Sequence, residues 1–286
     1  MARMESVMAG FPRVFGGRIA PAQCPCQSTP KERVPEETIM TIPLPTAMNM
    51  QGKRVLVTGA ASGIGRATAV VLAQLGAELL LSDRAAMTET LAEVKALGAT
   101  ATDAQGDLTS DAFIAQLLAG GRVHAAAHCA GILDGKPWRE DPNWHERFHR
   151  VMDVNVRVPL NLSAACIDHM AAHGGGSIVL VGSVAGRTGG TSLATPPDYS
   201  ASKGAVHALV KWLSRNGVGK GVLVNAVAPG PVQTAMTRNS NIAELTPMKR
   251  MGRAEELAWP IAFLCTPAAS YFSGAILDVN GGAFVG

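Results

Sequence analysis

An apolar run, a glycine-rich turn and a helical stretch follow one another between residues 54 and 76, and no other feature narrows the possible folds as much. Arg54-Val55-Leu56-Val57 reads as a buried strand, and Arg66-Ala67-Thr68-Ala69-Val70-Val71-Leu72-Ala73 as the body of a helix ending near Gly76. Between them stands Thr58-Gly59-Ala60-Ala61-Ser62-Gly63-Ile64-Gly65. Glycines at such a turn let backbone approach a pyrophosphate closely, while the helix start offers unpaired N–H groups and the positive end of its dipole. Gly59, Ser62, Gly63, Ile64 and Gly65 are therefore candidate phosphate-binding residues. The spacing is GxxxGxG, so the commoner GxGxxG fingerprint does not apply.

The rest of the chain repeats the strand and helix alternation. Candidate strands are 54–58, 78–82, 100–104, 123–128, 177–182, 222–227 and 275–279, with helices at 66–75, 88–97, 144–170, 200–215 and 254–265 among the segments between them. Short apolar strands separated by amphipathic helices predict an α/β fold, a doubly wound parallel sheet with right-handed crossovers, in a single domain over residues 51–286. Ligands of such a sheet bind beyond the carboxyl ends of its strands, where Gly59, Asp83, Gly131 and Ser183 all fall.

Asp83 ends the run Glu78-Leu79-Leu80-Leu81-Ser82-Asp83, twenty residues beyond Gly63. A carboxylate there accepts hydrogen bonds from adenosine ribose hydroxyls and repels a 2′-phosphate, which predicts NAD as cofactor. Arg84 pulls the other way, since a guanidinium could approach a 2′-phosphate; a solvated surface charge is its favoured reading.

Tyr199 and Lys203 stand four residues apart in Tyr199-Ser200-Ala201-Ser202-Lys203, a step that puts both on one helix face. A nearby ammonium favours phenolate and is expected to lower the tyrosine's pKa, fitting it to exchange a proton during turnover. Together with the glycine turn, this pair resembles the short-chain dehydrogenase/reductase family, and the resemblance covers about residues 51–286. Gly106-Asp107-Leu108 is similar to the family's adenine-contacting acidic turn, so Asp107 and Leu108 are candidate cofactor contacts. Ala130-Gly131 is similar to the end of its NNAG motif, Asn155 falls at its catalytic asparagine, and Ser183 at its substrate-binding serine. Pro229-Gly230-Pro231-Val232-Gln233-Thr234 resembles its PGxVxT segment beside the nicotinamide, adding Pro229, Gly230, Val232 and Thr234 to the cofactor set.

The resemblance implies a Rossmann-like enzyme moving a hydride between nicotinamide and a secondary alcohol or ketone. Tyr199 would be the acid/base, Lys203 would lower its pKa and hold the nicotinamide ribose, Ser183 would bind the substrate oxygen, and Asn155 would hold a water in a relay to Lys203. An NADPH-dependent ketone or 3-oxoacyl reductase is the alternative within the class; it would fit better with a basic residue before Gly63, where Ser62 stands. A non-catalytic dinucleotide-binding regulator is the alternative outside it. Ser183, Tyr199, Lys203 and Asn155, all present, argue against that reading.

Two departures from the family pattern stand out. His128-Cys129 replaces the usual two asparagines before Ala130-Gly131, which puts the usual side-chain hydrogen bonds of the fourth strand in doubt while leaving backbone contacts from Cys129 onwards open. Ser183 and Tyr199 are also sixteen residues apart, a few more than usual, so Thr191–Pro197 is expected to enlarge a loop near the substrate mouth.

Composition sets the remaining bounds. The 286 residues are 47% hydrophobic and 16% charged, enough to bury a large core, and a net charge of +3 without a basic stripe gives no reason to expect nucleic acid. No apolar stretch reaches a membrane span uninterrupted. Cys129, Cys166 and Cys265 lie singly in apolar surroundings and read as core thiols, and Cys24-Pro25-Cys26 lacks the ligands of a zinc site, so we expect no metal and a reducing, cytoplasmic setting. Apolar stretches such as Leu257–Leu264 lead us to expect a homo-oligomer, a tetramer or dimer as is common in the family. Residues 1–50 carry recurrent Pro and Gly and no periodicity, and read as a disordered or loosely attached extension. Arg3, Arg13 and Arg18 with few acids leave an organelle transit peptide open, although Pro12 and Gly16-Gly17 interrupt any amphipathic helix, and translation starts at Met40, Met48 or Met50 stay open as well.

Overall fold

The computed structural model describes residues 46–134, 138–190, 195–237 and 243–286. Thr191–Ala194 of the expected loop, and residues 1–45 of the expected extension, lie outside the described residues. Seven parallel strands form one sheet in the order β3-β2-β1-β4-β5-β6-β7. They are β1 (Arg54–Thr58), β2 (Glu78–Asp83), β3 (Ala101–Gln105), β4 (Ala125–His128), β5 (Gly176–Val181), β6 (Val222–Pro229) and β7 (Ile276–Val279). The α-helices between them are α1 (Gly63–Gln74), α2 (Thr88–Ala96), α3 (Asp111–Ala119), α4 (Trp144–Met152), α5 (Val158–Ala172), the short α6 (Ala185–Thr188), α7 (Pro197–Val218) and α8 (Ala254–Cys265).

Central strands are buried on both faces, which explains their unbroken apolar runs: Val55, Leu56 and Val57 of β1 and Leu79, Leu80 and Leu81 of β2 are all buried. One face packs against α1 and α8, through Leu72, Leu257 and Ile261, and the other against α3, α5 and α7, through Leu117, Ile167 and Val210. Strand order reverses between β1 and β4, which pair from Val55↔Ala125 to Thr58↔His128. That reversal is a topological switch point, and it sets the glycine turn after β1 beside Cys129-Ala130-Gly131 after β4.

Two boundaries and one helix differ from expectation for identifiable reasons. Met50 is fully buried and its N–H bonds to the Leu75 carbonyl at 2.8 Å, so the packed domain takes in a residue expected to belong to the extension. Helix α3 was not singled out in the sequence; Ser110 starts it by accepting from the Phe113 N–H at 3.3 Å, a side-chain cap that a serine before a short alanine-rich stretch can supply. Helix α7 begins at Pro197, three residues earlier than expected, because proline fits a first helical position. Tyr199 is thereby in the helix's first turn.

The expected helix 144–170 is continuous, but a π-helical turn, Asp153–Arg157, separates α4 from α5, with the Val158 N–H bonded to the Asp153 carbonyl five residues back. Within α8 most of the stretch Leu257–Leu264 belongs to the core; Trp259 is exposed, as is Trp212 of α7. Among the described residues no helix is long and apolar enough to cross a membrane.

Candidate active site

A cleft of about 860 Å³ opens at the switch point. Gly59, Ser62, Gly63, Ile64 and Gly65 line one side, Asp83, Asp107 and Leu108 a second, Cys129, Ala130 and Gly131 a third, and Thr234 closes the mouth. The glycines there are a spatial requirement. Gly59 (φ +68°) would place a Cβ 2.7 Å from the Ala130 nitrogen, Gly63 (φ +54°) would place one 3.2 Å from the Thr234 methyl, and a Cβ on Gly65 would fall on the Gly59 carbonyl. Ser62 caps α1 in an extended conformation without using its side chain, leaving the hydroxyl and the first α1 N–H groups for a ligand. A cradle that any Cβ would fill, at a helix N-terminus, fits a dinucleotide pyrophosphate.

At the far end of β2 the Asp83 carboxylate is held by two backbone donors, Ala61 N–H at 3.0 Å and Ala85 N–H at 2.9 Å. Each oxygen keeps a further acceptor site. The neighbouring cations are engaged elsewhere. Arg66 pairs with Glu89 and Glu93 of α2, and Arg84, largely solvated, lies 3.8 Å from Asp107. Asp107 is itself tied into its turn by the Thr109 N–H at 2.9 Å, which holds its carboxyl below the usual range.

Two of the four expected catalytic side chains, Asn155 and Lys203, reach the wall made by Gly131. Asn155 Oδ1 and Lys203 Nζ approach within 3.3 and 3.4 Å of where a Gly131 Cβ would lie. Asn155 sits in the π-helical turn and is fixed by three bonds: it accepts from the Ile132 N–H (2.8 Å) and donates to the Ile132 carbonyl (2.9 Å) and Ser202 Oγ (3.1 Å). Such turns interrupt α-helices at functional sites often enough for the placement to be informative. Lys203 donates to the Val181 carbonyl at 2.9 Å, and its Nζ stands 5.7 Å from the centroid of the Tyr199 ring. Burial pushes Lys203 down to about 8, so it remains a cation at neutral pH.

Tyr199 differs from expectation. Burial pushes its phenol above the ordinary value, opposed by a hydrogen bond with the Ser183 hydroxyl, where the spacing from Lys203 predicted a lowering. A further residue, not singled out in the sequence, joins the group: His207, four residues after Lys203, accepts from the Ser183 N–H at 3.5 Å. Its ring lies so close to Gly182 that a Cβ there would overlap Nε2. The only signal for it was the i, i+4, i+8 spacing from Tyr199, which an ordinary helix shares.

His128 is buried, bonded through Nδ1 to Thr58 Oγ1 at 2.7 Å, and its Nε2 has no partner among the described residues. It thus supplies one hydrogen bond between β4 and β1 where the asparagines of the family pattern are missing. Desolvation, reinforced by Lys203, pushes it down to about 3, and desolvation pushes His207 down to about 4. Both stay neutral in the folded chain, while the unfolded chain binds protons below about pH 6.5. Stability is therefore complete above that pH and falls with acidification from about pH 6.5 towards 4, by about 1.4 kcal/mol per pH unit for each histidine. Thermal melts across that range check the slope, and His128→Asn is expected to remove one proton's share of it.

Cys129 lines the cleft and is half-buried, its thiol 3.9 Å from Thr68 Oγ1 and pushed up to about 12 by burial, whereas Cys166 and Cys265 are core residues. Pro229, Gly230 and Val232 lie behind the cleft. Val232 is buried, and a Cβ on Gly230 would meet Asn280 Cα at 2.7 Å, so this segment frames Thr234. Leu133, Asp134, Arg150, Val154 and Met236 line the cleft without having been singled out, because nothing in their spacing marks residues brought in by loops and helix sides.

A family model described as Enoyl-(Acyl carrier protein) reductase matches residues 59–283. Galactitol 2-dehydrogenase (L-tagatose-forming) of Cereibacter sphaeroides is 38% identical over 83% of this chain and 97% of its own. The 3-oxoacyl-[acyl-carrier-protein] reductase of Escherichia coli is 34% identical over 83% of this chain and all of its own. Among solved structures, one from Agrobacterium tumefaciens, provisionally described as a 2-deoxy-D-gluconate 3-dehydrogenase with bound NADP, superposes with a TM-score of 0.76 at 32% identity, covering 84% of this chain and 99% of that one. Matched from the glycine turn to the last strand, with a Tyr-Lys pair beside a dinucleotide cradle, this chain belongs to the short-chain dehydrogenase/reductase family and is a nicotinamide-dependent oxidoreductase of alcohols and ketones.

Proposed function

We propose that the enzyme interconverts a secondary alcohol and its ketone with NAD as preferred cofactor. The observation that carries this reading is the linked set of side chains beside the cleft: Asn155 and Lys203 meet at its Gly131 wall, Lys203 stands 5.7 Å from the Tyr199 ring, and the Tyr199 phenol bonds with Ser183. A bound nicotinamide supplies the hydride acceptor or donor. Ser183 holds the substrate oxygen, and Tyr199 takes its proton in oxidation and returns it in reduction. Lys203, a cation at neutral pH, favours the phenolate and holds the nicotinamide ribose. Asn155, anchored to Ile132, holds a water linking Lys203 to solvent. Asp107 and Leu108 would contact the adenine, and Thr234 with its Pro229-to-Val232 frame would hold the nicotinamide end.

The NAD preference rests on Asp83 at the ribose end, with Arg66 and Arg84 both engaged by acids. The NADP bound by the Agrobacterium relative favours the second reading, an NADPH-dependent ketone or 3-oxoacyl reductase. Turnover efficiency with NAD is expected to exceed that with NADP by about tenfold, or roughly 1.4 kcal/mol. Asp83→Ala should shrink that ratio; a preference for NADP in the unaltered enzyme would move the second reading to the front. Purified protein screened with both cofactors against polyols, sugar acids, simple ketones and 3-oxoacyl thioesters tests the reading, and activity confined to the thioesters would overturn it.

The catalytic domain proper is residues 50–286, in a cytoplasmic, homo-oligomeric enzyme. Trp212 and Trp259, exposed on α7 and α8, are suited to a subunit contact. Light scattering at micromolar concentration is expected to give a mass of two or four chains.

A further inference from the structure

Three charged side chains outside this linked set lie buried together at the start of α7. Asp198, immediately before Tyr199, is 1% exposed and Arg147 of α4 is 4% exposed. The Arg147 guanidinium reaches Asp141 Oδ2 with Nη1 at 2.6 Å and approaches Asp198 Oδ2 with Nε at 3.5 Å. Asp141 belongs to the segment entering α4, where its other oxygen accepts from the Asn143 N–H at 2.9 Å and its carbonyl from the Trp144 N–H at 3.1 Å. The Trp144 ring covers the guanidinium, 5.0 Å from Cζ. Among the described residues neither Asp198 oxygen nor Arg147 Nε has a hydrogen-bond partner, so the 3.5 Å ion pair with Arg147 is the link that holds this carboxylate.

Burying one cation with two anions is a poor way to gain stability, because desolvation offsets most of the attraction. What such a set supplies is a fixed relation between the backbones that carry it. Here those backbones are the segment before α4, α4 itself, and the first turn of α7. Asp198 and Tyr199 are consecutive in that turn, so the place of one limits the place of the other.

We propose that Arg147 is a positioning residue: held by Asp141, it anchors Asp198 and thereby fixes the first turn of α7 so that the Tyr199 phenol meets Ser183. This rests on Tyr199 being the acid/base group. It assigns work to a side chain that touches neither substrate nor cofactor.

The chain has two tyrosines, which makes the test direct. Tyr271 is fully exposed and serves as an internal reference for Tyr199. Fluorine NMR of the full chain labelled with fluorotyrosine reads both. Asp198→Asn keeps the shape and the Arg147–Asp141 pair while weakening the link to α7. In that variant the Tyr199 resonance should shift or broaden while the Tyr271 resonance stays in place. NADH affinity should stay within about twofold, and turnover of the best substrate from the screen should fall about tenfold or more, as expected when a reacting group is misplaced by a fraction of an ångström. Arg147→Met should move the same resonance. An unmoved Tyr199 resonance in either folded variant overturns the proposal, as does a change in which both tyrosines move together, the mark of general loosening. Failure of the acid/base reading shows up separately, as retained turnover in Tyr199→Phe.

Discussion

Replacing Tyr199 with phenylalanine is expected to lower turnover by about a hundredfold or more, the usual scale for loss of a general acid or base, while leaving NADH affinity nearly unchanged. The substitution removes one oxygen from a half-buried ring and leaves the ring's packing in place. Tyr271, the other tyrosine, is fully exposed near the end of α8 and cannot substitute. Stopped-flow turnover alongside NADH fluorescence separates the two effects, and a variant with near-normal turnover would remove Tyr199 from the mechanism. Because burial holds the phenol above its ordinary value, the basic limb of the pH profile also reports how far Lys203 and the bound cofactor offset that burial in the working complex.

Gly65→Ala should be as damaging at the binding step. Its Cβ would lie on the Gly59 carbonyl, a backbone atom that cannot rotate away, so either α1 shifts or the phosphate cradle opens. Overpacking of this kind costs about 1–3 kcal/mol. If that cost falls on the cradle, NAD affinity drops by about a hundredfold, equivalent to roughly 2.7 kcal/mol. Gly219→Ala is the matching control, since a Cβ there meets nothing within 4 Å and the backbone is not left-handed. Isothermal titration with NAD compares the pair. Equal affinities would show that the glycine turn does not carry the pyrophosphate.

The parts of this site that could be read from the sequence are those whose chemistry is local. Gly59, Ser62, Gly63 and Gly65 act through a turn and a helix start that they themselves form, and Tyr199 and Lys203 through a spacing within one helix. The glycines and Ser62 line the cleft, and Tyr199 and Lys203 share α7. Asp83 was legible because a strand end in a parallel sheet has a fixed place at the binding edge. What could not be read depends on contacts between distant segments. His207 meets Ser183 only because α7 packs on β6 and on the short α6 that follows Ser183, and Arg147 meets Asp198 only because α4 packs against the start of α7. The lowered phenol expected from the Tyr-Lys pair failed for the same reason, since a pairwise rule carries no information about how deeply the fold buries the pair. Met50 followed likewise, its burial depending on the turn at Leu75.

The π-helical turn at Asp153–Arg157 also has a consequence for the phase of the long helix that contains it. One extra residue in a single turn rotates everything downstream by about 100° relative to a regular helix. The stripe that α4 turns toward α7, carrying Arg147 and Val151, therefore does not run on into the stripe of α5 that carries Leu162, Cys166 and Met170 into the core. Two half-helices of different facing are joined at Asn155, each free to match its own neighbours, and the residue at the joint points where neither stripe would have carried it.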